Sequence, residues 1–233
     1  MPKDVTNFTA EHDRAMRAYY DERAEQYDEW YLSQGGYAKR PDRDWATEVA
    51  QLAGLVKGFG SGRILEVAPG TGWWTQYLSR NGKLVGVDFA LRMLEQTRKR
   101  LVAQHLSAAL VRGDAYSLPF SDTAFDSCFF GFWLSHVPRK RTGAFLAEVR
   151  RVLKPGALVM VADSAASIWE SGDSPKPGSE YLDQRGLNDG SQHQVLKIFH
   201  SPETMSSALA PIGEVIEAGV VRKDIVYAVV RRG

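Results

Sequence analysis

Two glycines and two aspartates stand where this sequence could hold the nucleoside part of a ligand. Gly70 and Gly72 form a turn directly after an apolar run at 64–68, and Asp88 ends the next apolar run. Because glycine has no Cβ, the backbone at such a turn can approach a ligand closely. A carboxylate at the tip of the following strand can accept hydrogen bonds from both hydroxyls of a ribose. Asp114 follows a third predicted strand, and we expect these residues to form one nucleoside site.

The residues after the glycine turn argue against a phosphate chain on that ligand. A dinucleotide fingerprint needs a third glycine for close packing of helix on strand, and Thr75 stands in its place. Trp73 and Trp74 crowd the turn where a pyrophosphate would need open amides. The sequence also lacks the phosphate-binding pattern G-x-x-x-x-G-K-[ST]. These features favour a nucleoside without phosphates, and S-adenosylmethionine fits that description.

Hydrophobic patterning predicts strands and helices in alternation, which implies a parallel sheet with right-handed crossovers. The predicted strands are 63–68, 83–88, 109–113, 125–132, 157–163, 213–219 and 225–231. The predicted helices are 10–32, 42–57, 73–80, 90–105, 138–152 and 202–209. The glycine turn, both aspartates and residues 131–136 then fall at carboxyl ends of strands, where open α/β sheets bind their ligands.

Residues 166–200 are predicted to be an irregular, polar insertion that contains one hairpin. The tetrapeptide NDGS, at 188–191, is typical of a tight hairpin turn. We expect 185–187 and 194–198 to pair as a small antiparallel hairpin over the site. His193 and His200 are expected at the surface or on this hairpin.

Four motifs in order resemble the class I S-adenosylmethionine-dependent methyltransferases, of the small-molecule bacterial type. They are EVAPGTG (66–72), VGVDFA (85–90), GDAYSLPFSDTAFDSCFF (113–130) and RRVLKPGALVMVADS (150–164). The resemblance implies a Rossmann-like α/β fold, with seven mostly parallel strands, an antiparallel last strand and helices on both faces. It also implies one domain over 1–233: an N-terminal helical lid (1–58), a cofactor-binding core (60–164), a substrate flap (165–200) and a C-terminal helix with a strand hairpin (201–233).

The resemblance assigns the cofactor's parts to particular residues. Gly70 and Gly72 would contact the methionine moiety, and Asp88 the ribose hydroxyls. The first motif begins at Glu66, which we include among the cofactor-binding candidates, together with Ala68. Ala68 replaces the family's first glycine and still permits close approach, whereas the following proline removes one amide.

The adenine would lie beside Phe89, with Asp114 and the Ala115 amide reading its edge. An alternative interpretation of Asp114 is a cap of the turn GDAYS. Its spacing from Asp88 favours the binding role.

The candidate catalytic residues are His136, Tyr20 and Trp133. An imidazole titrates near neutral pH and could act as a general base; the alternative is a helix-entry histidine bonded to the backbone. Trp133 is expected at the end of a strand facing the cofactor, where its ring would stabilise the sulfonium cation. The segment YYDERAEQYDEWY resembles a lid helix in which Tyr20 or Tyr27 approaches the cofactor; the alternative is an amphipathic helix that only packs on the sheet.

Composition limits the other classes of function. Lys and Arg total 29 against 28 acids in 233 residues, which gives no basic footprint for nucleic acid or an anionic membrane. No apolar stretch approaches the roughly 20 residues needed to cross a bilayer, and the N-terminus lacks a secretory pattern. The single cysteine and five histidines form no recognised metal-ligand pattern. We expect a cytoplasmic monomer or homodimer that acts on a small molecule and binds no metal.

Three functions remain open at this point. The first is methyl transfer to an oxygen, nitrogen or carbon atom of a small metabolite. The second is cyclisation of S-adenosylmethionine itself to azetidine-2-carboxylate with release of methylthioadenosine, which a closed aromatic pocket without a nucleophile would permit. The third is a non-catalytic binding module or a protein-directed transferase.

Overall fold

A computed structural model of the chain describes residues 3–4, 9–35, 44–166 and 176–233. The strands are β1 (Lys3–Asp4), β2 (Arg63–Val67), β3 (Lys83–Asp88), β4 (Ala109–Arg112), β5 (Phe125–Gly131), β6 (Leu153–Ser164), β7 (Glu180–Gly186), β8 (Gln192–Ile198), β9 (Gly213–Val221) and β10 (Ile225–Arg232). The helices are α1 (Ala10–Glu22), α2 (Trp45–Lys57), α3 (Thr75–Leu78), α4 (Leu91–Ala103), α5 (Arg139–Val152) and α6 (Pro202–Leu209).

Seven strands form the main sheet in the order β4-β3-β2-β5-β6-β10-β9. The pairs among β4, β3, β2, β5 and β6 are parallel, whereas β10 runs antiparallel to both β6 and β9. Strand order reverses beside β2, since β3 lies on one side of it and β5 on the other. The predicted α/β fold with an antiparallel last strand is therefore confirmed, and ligand-binding residues are expected above β2, β3 and β5.

Both faces of this sheet are covered by helices, as predicted. On one face the strands pack against buried residues of α5 and α6, which include Phe145, Leu146, Met205 and Leu209. On the other face they pack against α2 and α3, with Leu52, Val56, Trp74 and Leu78 among the buried residues. Among the described residues, no helix combines the length and apolar character required to cross a bilayer.

The lid differs from the single helix predicted over 10–32. Helix α1 ends at Glu22, and two short 3-10 turns follow at Arg23–Glu25 and Tyr27–Glu29. This bend brings Asp28 to the glycine turn, where it accepts a hydrogen bond from the Thr71 hydroxyl at 2.5 Å and forms an ion pair with Arg100 of α4. Tertiary contacts of one carboxylate thus favour the bend over a continuous helix.

Several predicted boundaries move by a few residues. The helix predicted at 73–80 is only Thr75–Leu78, and the strand predicted at 157–163 extends over Leu153–Ser164. The predicted start of α2 at residue 42 lies outside the described residues. Such shifts leave the order of elements unchanged.

The flap contains more order than predicted. Strands β7 and β8 pair antiparallel from Glu180↔Ile198 to Gly186↔Gln192, so the NDGS turn is confirmed and both strands are longer than expected. Residues 180–184, read from the sequence as irregular, are therefore strand. The flap packs on α1, where Met16 and Tyr19 contact Val195 and Leu196. That packing explains the order, because an isolated two-stranded hairpin is only marginally stable.

Candidate functional site

The glycine turn after β2 combines tight packing with open space. Ala68, Gly70 and Gly72 all have left-handed backbone, with φ of +54°, +58° and +79°. A Cβ on Gly72 would lie 2.9 Å from Thr97 Cγ2, so glycine is required for packing against α4. A Cβ on Gly70 would meet only Tyr27 Cε1, at 3.9 Å. The turn therefore leaves open space beside the Cα of Gly70.

Asp88 ends β3 beside this turn. One carboxylate oxygen accepts a hydrogen bond from the Gly70 amide at 3.1 Å and the other accepts from the Ala90 amide at 3.0 Å. Burial raises the pKa of Asp88 to about 6, although these amides favour the ionised form. At neutral pH the side chain is therefore a buried carboxylate, an acceptor for hydroxyl donors.

Asp114 follows β4 and accepts a hydrogen bond from a residue of the lid. Arg17 of α1 donates from Nη2 to Asp114 Oδ2 at 2.9 Å, and its guanidinium lies 4.9 Å from the centre of the Phe89 ring. The other oxygen of Asp114 accepts from the Tyr116 amide at 2.9 Å. Burial opposes ionisation, but the Tyr116 amide and the Arg17 charge together lower the pKa of Asp114. Asp114 thus caps its turn, as the alternative interpretation held, and still faces a cavity.

That cavity lies above the carboxyl ends of β2, β3 and β5. It is lined by Asp13, Met16, Arg17, Tyr20, Tyr27, Ala68, Gly70, Val87, Asp88, Phe89, Met93, Gly113, Asp114, Ala115, Gly131, Phe132, Trp133 and His136. We call it the first cavity. It encloses only about 60 Å³, since α1 crosses it and Arg17 lies between Phe89 and Asp114.

Trp133 supplies a wall of the first cavity. Its indole Nε1 is buried and, among the described residues, has no hydrogen-bond partner. A buried N–H without a partner costs free energy, so this donor favours an acceptor on a bound ligand. Trp74, in contrast, donates from Nε1 to the Tyr31 hydroxyl at 2.9 Å and belongs to the lid packing.

Tyr20 and His136 form a hydrogen-bonded pair at one end of the first cavity. Tyr20 Oη lies 2.8 Å from His136 Nε2, and His136 Nδ1 lies 2.6 Å from the Leu196 carbonyl of the flap. Since a carbonyl only accepts, Nδ1 carries the proton and the Tyr20 hydroxyl donates to Nε2. Burial, together with the charges of Lys197 and Arg185, moves the pKa of His136 well below its usual value. The imidazole is therefore neutral and a weak base.

A second cavity of about 470 Å³ lies between the lid and the flap. It shares Tyr20, Tyr27, Phe132 and His136 with the first cavity. Asn188 at the tip of the flap lines it and bridges to the lid, donating from its backbone to Gln26 and from its side chain to Glu29, each at 3.0 Å. Two cavities thus meet at the Tyr20–His136 pair.

Comparisons with known proteins agree with this geometry. A family model described as "Methyltransferase domain" matches residues 64–156. A demethylmenaquinone methyltransferase of Staphylococcus aureus (strain MRSA252) is 37% identical over 125 residues, which are 52% of this chain and 49% of that protein. The solved DhpI-SAM-HEP complex is 26% identical, covers 97% of this chain and 100% of its own, and superposes with a TM-score of 0.77. The DhpI-SAH complex superposes at 0.74, with 26% identity and coverage of 97% and 99%.

Residues 64–156 thus match a methyltransferase domain, and the fold over nearly the whole chain is shared with the two DhpI complexes. These matches support the predicted family, its class of enzyme and its methyl donor. The chain spans about half the length of the curated relatives it matches. A 1,6-didemethyltoxoflavin-N1-methyltransferase of Burkholderia thailandensis, 17% identical with a TM-score of 0.67 over 99% of this chain and 94% of its own, shares the fold.

Most residues that the sequence singled out meet at the first cavity. Tyr20, Tyr27, Ala68, Gly70, Asp88, Phe89, Asp114, Ala115, Trp133 and His136 all line it. Glu66 and Gly72 do not. Gly72 faces α4, and Glu66 is 1% exposed beneath the turn, where burial and then the charge of Asp88 raise its pKa to about 8. His200 is buried, so it does not lie at the surface; it belongs to the flap, the other position expected for it, where it follows β8 and bridges to Ala165 beside β6.

The sequence did not indicate the role of Arg17. Asp13 and Arg17 are spaced i, i+4 and form an ion pair at 3.1 Å, a pattern that predicts only a helix face. The reach of Arg17 to Asp114 depends on where α1 crosses the sheet. No local pattern encodes that crossing.

Proposed function

We propose that the protein transfers a methyl group from S-adenosylmethionine to a small molecule held in the second cavity. The observation that carries this proposal is the shared wall of the two cavities, formed by Tyr20, Tyr27, Phe132 and His136. A donor in one cavity and an acceptor in the other would face each other across that junction. Transfer between two oriented groups gains a large rate advantage from position alone.

The residues of the first cavity fit the cofactor. The buried carboxylate of Asp88 suits a ribose diol, and the open space above Gly70 suits a close ligand. The unpartnered indole N–H of Trp133 offers a donor, while its ring offers a face to a cation. Asp114 and the Ala115 amide would read the adenine edge beside Phe89, which requires Arg17 and α1 to move outward. When bound, S-adenosylmethionine supplies an electrophilic methyl group on a sulfonium.

Tyr20 and His136 would position the acceptor at the junction. Neutral His136 is held by the Leu196 carbonyl and fixes the Tyr20 hydroxyl through Nε2. The Tyr20 oxygen keeps lone pairs that can contact the cofactor or the acceptor. We assign Tyr20 a contact role and His136 the role of orienting it, in place of the general base expected from sequence.

Turnover measurements test the proposal. The protein is incubated with S-adenosylmethionine, with and without fractionated metabolite extract, and products are followed by mass spectrometry. We expect S-adenosylhomocysteine to form only with extract, and Tyr20→Phe to lower its rate at least tenfold. Tyr227→Phe, on β10 and bonded to Glu217, is the matched control and should keep the rate. Absence of turnover in every fraction, together with absence of S-adenosylhomocysteine binding, would contradict the proposal.

Cyclisation of the cofactor receives less support than methyl transfer. It depends on a closed pocket without room for another molecule, whereas the second cavity holds about 470 Å³ beside the junction. Methylthioadenosine and a cyclic amino acid formed from S-adenosylmethionine alone would restore that alternative.

A further inference from the structure

Two side chains on one face of α4 hold carbonyls of the glycine turn. Thr97 donates from its hydroxyl to the Gly70 carbonyl at 2.7 Å, and Arg100 donates from Nε to the Thr71 carbonyl at 3.0 Å. The two side chains are spaced i, i+3, so they are neighbours on the helix surface. Since a peptide unit is planar, fixing these carbonyls also fixes the direction of the amides that follow them, those of Thr71 and Gly72. Helix α4 therefore helps to set the shape of the turn.

Arg100 also connects this turn to the lid. Its Nη2 donates to one carboxylate oxygen of Asp28, and the other oxygen accepts from the Thr71 hydroxyl at 2.5 Å. Thr71 is thus bound twice, through its carbonyl to Arg100 and through its hydroxyl to Asp28, and the three residues close a ring of hydrogen bonds. Thr71 is buried, and the side chains of Arg100 and Asp28 are 19% and 30% exposed. Charged hydrogen bonds that are partly buried in this way are screened less than those at the surface.

Aromatic residues of the lid lie over the same turn. Tyr27 Cε1 is 3.9 Å from the position that a Cβ on Gly70 would take, and Tyr27 lines both cavities. Tyr31 stacks on Trp73, with ring centres 4.5 Å apart and 10° between the planes. The Arg100 guanidinium lies 5.2 Å from the centre of the Trp73 ring. The lid and the glycine turn therefore pack as one unit at this point.

We propose that Arg100 is a positioning residue for the cofactor, which together with Asp28 holds the glycine turn in its binding shape and keeps Tyr27 over Gly70. Arg100 is not among the described residues that line the first cavity, so it acts through the turn and the lid. The inference rests on the proposed function, because it concerns the turn assigned to the cofactor. It also makes lid docking and cofactor binding depend on each other, since coupling between two equilibria is reciprocal.

A second arginine of α4 provides a matched control. Arg92 donates from Nη2 to Glu25 of the lid at 3.1 Å and from its backbone to Asp21 at 3.2 Å. Like Arg100, it pairs α4 with a carboxylate of the lid, but its side chain is 44% exposed. Arg92→Met therefore removes an ion pair between the same helix and the lid, while Thr71 keeps both of its partners.

Calorimetry with S-adenosylhomocysteine and the full chain tests the proposal. Arg100→Met removes the bonds to Thr71 and Asp28, and it should weaken binding about tenfold, as expected for the loss of a hydrogen bond from a charged group. Asp28→Asn keeps the shape and an oxygen for the Thr71 hydroxyl, and it should weaken binding several-fold. The double variant should lose less than the product of the two single effects, because the residues act in one network. Arg92→Met should not weaken binding.

Hydrogen–deuterium exchange distinguishes positioning from general stabilisation of the fold. In the wild type and in Arg92→Met, saturating S-adenosylhomocysteine should slow exchange of the backbone amides at 23–31, because ligand binding and lid docking support each other. Arg100→Met should lose most of this slowing even when it is saturated with the ligand. A residue that only stabilised the fold would instead speed exchange equally with and without the ligand.

Each outcome decides for or against the inference. Unchanged affinity in both Arg100→Met and Asp28→Asn overturns it, as do fully additive losses in the double variant or an equal loss in Arg92→Met. If Arg100→Met does not fold, Asp28→Asn decides through its affinity and its exchange at 23–31. A wild type that binds S-adenosylhomocysteine while the variants do not differ from it removes this inference alone. Failure of the wild type to bind that ligand would remove the proposed function as well.

Discussion

The buried carboxylate of Asp88 should make cofactor binding depend on pH in a range where few carboxylates titrate. Its pKa is raised to about 6 by burial, whereas an exposed aspartate titrates near pH 4. Ribose hydroxyls donate hydrogen bonds, so the ionised carboxylate accepts both and the protonated acid loses acceptor capacity. Affinity should therefore be full above pH 6 and fall as the pH drops through that value.

The size of the effect follows from the fraction ionised. If only the carboxylate form binds, the apparent dissociation constant rises by a factor of 1 + 10^(pKa − pH). With a pKa of about 6, affinity drops about tenfold between about pH 7 and about pH 5, or roughly 1.4 kcal/mol. Asp88→Asn keeps the shape and removes the titration, so its affinity should be lower, by roughly 1.5–3 kcal/mol at neutral pH, and flat over the same range.

Isothermal titration calorimetry measures the affinity of the wild type and of Asp88→Asn for S-adenosylhomocysteine at each pH. This ligand avoids the sulfonium charge, and its own groups do not titrate in the chosen range. Asp114 also keeps its charge there, since its pKa is lowered. A wild-type affinity that stays constant from about pH 7 to about pH 5, or an equal pH slope in Asp88→Asn, would refute the assignment of Asp88 to the ribose.

Further predictions concern the lid and the residue beneath the turn. Arg17→Ala removes the bridge between α1 and Asp114, so S-adenosylhomocysteine should associate several-fold faster in stopped-flow tryptophan fluorescence; an unchanged or slower rate would contradict a closing role. Glu66 has a folded-state pKa of about 8, above its unfolded value near 4.5, so the folded state retains its proton as the pH rises between these values. The free energy of unfolding should fall with rising pH there, by up to about 1.4 kcal/mol per pH unit relative to Glu66→Gln; parallel urea-denaturation profiles for the two proteins would contradict that reasoning.

The sheet was predictable because each central strand is a short apolar run bounded by turn residues. Phe125–Gly131 and Lys83–Asp88 are buried along nearly their whole length, and buried parallel strands show this pattern in sequence. Asp88 was identified for the same reason, since a carboxylate at the end of such a run lies at the ligand-binding edge. At these residues the local sequence pattern is sufficient to predict the position in the fold.

The lid and the second cavity were not predictable, because they depend on contacts between distant residues. The bend after Glu22 is held by Asp28 at the glycine turn, and sequence periodicity contains no sign of that contact. The second cavity joins residues of the lid, such as Arg23, to Arg185 and Lys197 of the flap, and docking of the flap on α1 brings them together. His136 was identified as a base from its type alone, whereas its burial and positive neighbours make it neutral and weakly basic.

A crystal structure of the protein with S-adenosylhomocysteine tests the central claim most directly. The account predicts the ribose hydroxyls on the Asp88 carboxylate, the adenine beside Phe89, and the sulfur directed toward the Tyr20–His136 pair with the second cavity open beyond it. An adenosine bound elsewhere, or a sulfur turned away from that pair, would contradict it.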